Sequence, residues 1–382
     1  MKKMLHACQW LMMTGIFELL PLAAISQTAD KEFSVATLNV DGLPTYIADI
    51  HINPDGPGGE TQRVGEFLAR KGYDIIGVQE DFNYDEELRQ SLELHYNYGD
   101  WQGDINLSFG KIMGVLFSNE RFETDGLRVF WRQNHQIEQE NAVAWYDSYG
   151  KFDHCWDAIV VKGFRRCEMT LSCGQRIVVY NMHMDASTDA DELVGNDWGD
   201  KEARWNQWRQ LREYVMDYLD ERPVILMGDM NSLYPRDSIK SIFIDPINAT
   251  QQYYVSDTWV EACQQGIYPE MVSGDRYMAY DNGEVLDKIL YINPLKGPRL
   301  ELKSYQLETD YTYEDGTPMG DHFPVSVTFR IIDDTSGICQ FQLDTSSPQQ
   351  IWSIDGRSQS KLRKGLNIVR SSDGSIRKVV LP

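Results

Sequence analysis

Short runs of consecutive apolar residues alternate along the chain with stretches in which apolar residues return every three or four positions. The runs at 33–39, 75–79, 112–117, 176–182, 224–227, 288–292 and 325–330 predict strands, and several are apolar throughout, the pattern of strands covered on both faces. Between them, 61–71 sets Val64, Phe67 and Leu68 on one helical face and stops before Gly72. A longer helix is predicted over 201–219, where Trp205, Trp208, Leu211, Val215 and Leu219 form a stripe that assigns both tryptophans to a core. Turn residues such as Ser172-Cys173-Gly174-Gln175 mark hairpins, so the order of elements predicts an α/β fold of packed sheets flanked by helices.

The two ends depart from this pattern. The chain starts Met1-Lys2-Lys3, continues through an apolar stretch over 11–25 and reaches Ala24-Ile25-Ser26, the three parts of a signal peptide with cleavage expected after Ser26. Glu18 and Pro21 interrupt that stretch, which leaves it short of a membrane span. The catalytic region is expected over 27–333. Beyond Asp333-Asp334-Thr335-Ser336-Gly337, residues 334–382 read as a small β-rich region with Asp355-Gly356-Arg357 and Lys364-Gly365-Leu366. Those two motifs resemble the C-terminal sorting domains of secreted Bacteroidetes proteins; the other reading is an extra hairpin packed on the main domain.

Composition narrows the partners. A formal net charge of -22 is opposite to the basic face that nucleic-acid binding usually requires, although a local basic groove remains compatible with it. Lys162 with Arg165-Arg166 is the dense basic cluster near a predicted strand. Of six cysteines, Cys8 leaves with the signal, and Cys155, Cys167 and Cys173 lie close enough in sequence for a disulfide in an oxidising compartment. The odd number left, with Cys263 and Cys339, implies at least one unpaired thiol, and no pair has zinc-site spacing.

Polar residues gather where the apolar runs end. They are Asn39 in Leu38-Asn39-Val40-Asp41, Glu80 in Gln79-Glu80-Asp81, His183 in His183-Met184-Asp185-Ala186, Asp229 and Asn231 in Gly228-Asp229-Met230-Asn231, Asp287 before Lys288-Ile289-Leu290-Tyr291, and Asp321-His322-Phe323-Pro324. Strand ends are where α/β sheets present ligands, and carboxylate and amide oxygens suit Mg²⁺, Mn²⁺ or Ca²⁺. Each motif alone is as common in turns and ion pairs. Their order along about residues 33–331 resembles the endonuclease/exonuclease/phosphatase superfamily.

The resemblance implies a four-layered α/β sandwich, two packed mixed β-sheets flanked by helices, and a Mg²⁺-dependent phosphodiesterase or other phosphoric ester hydrolase. It implies Glu80 as principal metal ligand, Asn39 beside it, and Asp321 on a second metal or orienting its neighbour. His322 would be the general base, fixed by Asp287, with Asp229 and Asn231 positioning water and His183 bonding a non-bridging phosphate oxygen. Arg204 and Gln207 resemble supporting residues of relatives, with a solvated face as the other reading. The acidic loop 185–200 lacks EF-hand spacing and reads as solvated. Tyr46, Phe82, Trp101 and Phe109 are expected near the site, as stacking or packing residues.

Within the superfamily the first strand and the His183 motif look most like secreted neutral sphingomyelinases. That implies a phospholipid headgroup substrate, possible contact with a membrane surface, and export to periplasm, cell surface or medium. A secreted nuclease or a phosphatase of small phosphorylated molecules is the alternative. A non-catalytic binding protein is disfavoured, because every position of the pattern holds a residue able to act. No Gly-x-Ser-x-Gly elbow accompanies Ser232, which disfavours serine-hydrolase chemistry.

Overall fold

The computed structural model describes residues 31–47, 50–51, 53, 56–102, 121–148, 157, 160–186, 198–266, 284–334, 350–353, 357–359, 365–370 and 376–381. The expected strand at 112–117, the signal segment, most of the 185–200 loop, Phe109, Cys155 and Cys339 lie outside them.

The first sheet is built from β1 (Glu32–Asn39), β4 (Ile75–Gln79), β5 (Tyr96–Tyr98), β6 (Arg128–Arg132), β13 (Gly297–Leu307) and β14 (Val325–Asp334), in the order β13-β14-β1-β4-β6-β5. A two-residue hairpin, β2 (Tyr46–Ile47) with β3 (Ile50–His51), stands apart. The second sheet holds β7 (Gln136–Ala144), β8 (Gly163–Thr170), β9 (Arg176–His183), β10 (Val224–Asp229), β11 (Tyr253–Asp257) and β12 (Asp287–Pro294), in the order β11-β12-β10-β9-β8-β7. The two sheets repeat one pairing scheme. β1 runs parallel to β4 and antiparallel to β14, and β10 runs parallel to β9 and antiparallel to β12.

Every residue of β4, β10 and β12 is buried, which accounts for the unbroken apolar runs at 75–78, 224–227 and 289–292 within them. The inner faces meet in one core that includes Val35, Val78, Ile225, Met227 and Ile289. On the outer face of the first sheet lies α1 (Thr61–Lys71), with Val64, Phe67 and Leu68 buried and Gly72 closing it at φ 73° by donating to the Leu68 carbonyl. Beside it is α2 (Asp85–Leu92), whose Asp85, Glu86 and Glu87 favour a helix N-terminus. The second sheet is covered by α3 (Trp198–Tyr218), where Trp208, Leu211 and Val215 are buried, with Trp205 and, just past the helix end, Leu219 packing at the margin. Layers of helix, sheet, sheet and helix result, and among the described residues no helix is long and apolar enough to cross a membrane.

A smaller unit comprises Leu295–Gly297 and Asp334–Pro382. It holds an antiparallel sheet of β15 (Gln350–Ser353), β16 (Ser358–Gln359), β17 (Gly365–Arg370) and β18 (Ile376–Leu381), in the order β16-β15-β17-β18. The described cysteines, Cys167, Cys173 and Cys263, are free thiols, so no disulfide joins the first two.

A polar link crosses the core below the ends of β4 and β9. Gln79 donates to Asn181 Oδ1 at 2.6 Å, and Asn181 Nδ2 donates to the carbonyls of Val78 and Arg128 at 2.9 and 3.0 Å. Replacing Asn181 by Ala removes three buried hydrogen bonds, with Gln79 keeping its bond to Thr37 Oγ1, so urea denaturation is expected to show a loss of about 3 kcal/mol. A loss below about 1 kcal/mol would mean the link does not hold the sheets in register.

Candidate active site

The pairing scheme explains why the polar residues converge. Parallel strands β1, β4, β9 and β10 end on the edge where antiparallel strands β12 and β14 begin. Asn39, His183 and Asp229 are therefore the last residues of β1, β9 and β10, Glu80 follows β4, Asp287 opens β12, and His322 precedes β14. Asp41, Glu80 and Asn231 leave their strands with φ of 50°, 58° and 45°, a left-handed turn that non-glycine residues adopt at a cost of about 1–3 kcal/mol. Gly42 is required opposite one of these turns: its N–H donates to the Glu80 carbonyl at 3.1 Å, and a Cβ there would lie 2.3 Å from that oxygen.

Asn39 bridges the two sheets, donating from Nδ2 to Glu80 Oε1 at 2.8 Å and to Asp229 Oδ2 at 3.1 Å, while its Oδ1 accepts from the Asp41 N–H. His183 Nε2 lies 3.4 Å from Asp229 Oδ2 and 3.8 Å from Glu80 Oε1. His322 Nδ1 meets Asp287 Oδ2 at 2.5 Å, and its Nε2 faces Asp229 Oδ2 at 3.8 Å. The Asn231 N–H donates to Asp229 Oδ1 at 3.0 Å. Asp321 stands at the rim, 4.0 Å from His322 Nε2 and partly exposed.

Burial and crowding set the charges. Burial, with Asp321 and Glu80 nearby, pushes the Asp41 carboxyl up to about 8; burial and Asp321 push Glu80 up to about 7. Burial opposes charge on Asp229, yet His322 and His183 outweigh it and hold its carboxyl below the usual range. Burial also opposes the charged form of His322, but Asp287, Asp321 and Asp229 hold its pKa well above the ordinary imidazole value. His183 is driven well below that value by burial and by Lys162. Asp287 is raised to about 6 by burial, against the pull of His322.

Glu80, His183 and Asp229 form one group whose ligand atoms lie within 4.8 Å of one another, and Asp229, Asp287 and His322 form a second. Asp287 Oδ1, Asp321 Oδ1 and His183 Nδ1 are buried without a hydrogen-bond partner. Repelling carboxylates with uncommitted oxygens are a donor set that a hard divalent cation fits. Of the expected ligands, Glu80 lies in the first group. Asn39 turns its amide nitrogen toward Glu80 and Asp229, and Asp321 falls outside both groups.

The loop carrying His183 is held by side chains at nearly every backbone polar group. Trp145 Nε1 donates to the His183 carbonyl at 2.6 Å, Asn231 and Lys162 donate to that of Met184, and Arg204 donates to that of Asp185. Gln207 and Asp157 accept from the N–H groups of Asp185 and Ala186. Arg204 and Gln207 are therefore buried supports, not a solvated face. Arg165 is buried against Asp125 and Glu140, Arg166 against Glu168, and Lys162 against Asp157, so this cluster does not form a basic groove. Phe82 is core and Trp101 is tied to the Asp81 carbonyl, whereas Tyr46 is exposed. Asp41 was not among the expected site residues, although it stands two positions after Asn39 in the same motif.

Residues 36–291 match the model of the Endonuclease/Exonuclease/phosphatase family. The chain belongs to this family. Among curated relatives, the sphingomyelinases of Mycobacterium tuberculosis and Mycobacterium bovis are 25% identical over 314 residues, 82% of this chain but 56% of theirs. The chain thus spans little more than half the length of those relatives. Among solved structures, a humanized TDP2 of D. rerio superposes with a TM-score of 0.54 at 15% identity, over 79% of this chain and 100% of that one. An endonuclease/exonuclease/phosphatase family protein of Bacteroides thetaiotaomicron gives 0.53 at 19%, over 81% and 98%. At these identities the superpositions establish the fold.

A cation held by Glu80 would displace its proton and favour ionised Asp41 nearby, so Mg²⁺ or Mn²⁺ affinity in calorimetric titrations is expected to rise from pH 6 to pH 9. Because the folded protein holds the Asp41 proton more tightly than the unfolded chain, the stability this confers is complete below pH 3.8 and is lost as pH rises through about 8. Added Mg²⁺ should therefore raise Tm most at the alkaline end. A pH-independent affinity would contradict this account of the site.

Proposed function

We propose that this protein is a divalent-metal-dependent hydrolase of soluble phosphoric esters, using water as nucleophile. The reading is carried by one juxtaposition: a His322–Asp287 pair facing, across Asp229, the Glu80–His183 group. A bound divalent cation would neutralise charge on the phosphoryl group. Glu80 would be its principal ligand, with Asn39 and Asp321 nearby, Mg²⁺ being the expected ion. Asp229 and Asn231 orient the attacking water. Neutral His183 offers a hydrogen bond to a non-bridging oxygen. Asp287 holds the His322 ring by Nδ1, leaving Nε2 toward the reaction. Asp287, Asp321 and Asp229 keep a proton on His322 in the free protein; a cation held beside Asp229 would offset part of that charge and favour the neutral ring, whose Nε2 would take the proton of water.

A second reading, cleavage of a phospholipid headgroup, is favoured by the likeness to mycobacterial sphingomyelinases. The two readings, and a nuclease, separate on a panel of sphingomyelin vesicles, plasmid, single-stranded DNA, sugar phosphates and aryl phosphate esters assayed with Mg²⁺ and with EDTA. Soluble esters are expected to be turned over best; cleavage confined to vesicles or to DNA would replace that reading. Replacing His322 by Ala is expected to lower kcat about 10²–10⁴-fold with Mg²⁺ affinity within a few-fold of the parent. An unchanged kcat would remove His322 from the chemistry.

Residues 1–26 belong to the proposal as an export signal, with 27–333 as catalytic domain and 334–382 as a sorting region. N-terminal sequencing of protein recovered outside the cytoplasm is expected to begin at Gln27; a mature chain retaining Met1 would exclude cleavage.

A further inference from the structure

Beside the acidic cluster a groove opens between the start of α1 and the turn at 313–317. Its outer part, about 630 Å³, is lined by Glu60, Arg63, Glu66, Arg70, Tyr313 and Glu314, with Met319 at the inner margin. A second lobe, about 480 Å³, shares Glu60, Arg63, Tyr313 and Glu314 and extends to Gly56. Gly56 borders the site directly: a Cβ added there would lie 2.8 Å from Asp41 Oδ2. Met319 leads through Gly320 to Asp321 and His322. Both ends of the groove wall therefore reach carboxylates of the candidate active site.

The lining selects against three kinds of occupant. An acyl chain gains roughly 25 cal/mol per Å² from apolar surface, and Tyr313 and Met319 are the apolar members here. A polynucleotide would bring further phosphates against Glu60, Glu66, Glu314 and Asp315, with Arg63 and Arg70 as the countercharges. A cationic group would be drawn by the carboxylates and the Tyr313 ring, but it would compete with the Arg63 guanidinium, which pairs with Glu60 at 2.7 Å and lies 5.6 Å from the ring centroid. What remains is an uncharged group able to donate and accept at once. Hydroxyls do both: carboxylates at Glu60 and Glu66 accept from them, and guanidinium groups at Arg63 and Arg70 donate to them. The elements are already partly set, since Arg63 Nε pairs with Glu60 Oε2 at 2.7 Å, and Tyr313 is fixed by backbone bonds with Thr317 and Gly316.

We propose that this groove is the subsite for the organic part of the substrate, and that it takes a polyhydroxylated group, so that the enzyme acts on a sugar or polyol phosphate. The inference rests on the reading of the site as a phosphoric ester hydrolase. It assigns Arg63 and Tyr313 to specificity.

The test compares kcat/KM of the full chain with Mg²⁺ on hexose 6-phosphate and glycerol phosphate against p-nitrophenyl phosphate and bis-p-nitrophenyl phosphate, with ethanolamine phosphate as cationic control. Arg63→Gln and Tyr313→Ala are each expected to lower the ratio of polyol to aryl ester turnover about tenfold or more, mainly through KM. Arg63 is exposed and outside the core, so its variant should melt like the parent and serves if the Tyr313 variant does not fold. A ratio unchanged in both folded variants, parent turnover of aryl esters without polyol phosphates, or ethanolamine phosphate as the preferred ester would overturn the subsite. Failure of the parent to cleave any ester would instead overturn the hydrolase reading on which it rests.

Discussion

The chemistry of this protein depends on two sheets meeting in one register, and the buried amide link between Gln79 and Asn181 lies at that seam. Glu80 follows Gln79 directly, and His183 is two residues beyond Asn181, so the bond couples the neighbours of both groups. A slip of one residue along either strand would turn every side chain to the other face. Gly77 shows how close the sheets come: a Cβ there would lie 2.6 Å from the Met227 Cε and 2.8 Å from Asn181 Oδ1. Amides satisfied in a core are costly to misplace, and this makes them suited to fixing a register that apolar contact alone would leave looser.

That register concentrates negative charge. Asp41, Glu80, Asp229, Asp287 and Asp321 act on one another in a partly desolvated space, and the histidines cannot neutralise them all. Burial first and mutual repulsion second raise Glu80 and Asp41, and the repulsion also makes the site attractive to a divalent cation, so part of the destabilisation of the metal-free state and the affinity for metal have one source. Lys162, buried against Asp157 and close enough to influence Glu80 and His183, supplies a fixed positive charge beneath the cluster.

Much of this was legible in the sequence, for a physical reason. Strands buried on both faces must be apolar throughout, so the polar residue at which the run ends is conspicuous, as at Asn39, Glu80, His183 and Asp229. What was hidden lacks that contrast. β7 is largely exposed and its sequence, Gln136–Ala144, carries no apolar period; α2 opens on three acids and buries Leu88 and Leu92 with little else to announce it. The buried pairing of Arg165 and Arg166 depends on Asp125, Glu140 and Glu168, two of them remote in sequence, so a basic cluster could not be told from an internal ion-pair network. Asp41 was visible but ambiguous, since the left-handed turn that points it inward is a property of the fold.

The first strand of the domain pairs with the last. Glu32 lies opposite Arg330 in the β1–β14 ladder, a bond spanning 298 positions, and His322 arrives only with the segment that leads into β14. During synthesis Glu80, His183 and Asp229, the first candidate metal-binding group, all emerge before His322 does. A chain still being made, or one truncated before Asp321, carries Asp41, Glu80, Asp229 and Asp287 but neither Asp321 nor His322. On the proposed reading, catalytic competence is therefore a late event in the birth of this molecule, reached when the final strand closes the sheet that the first one opened.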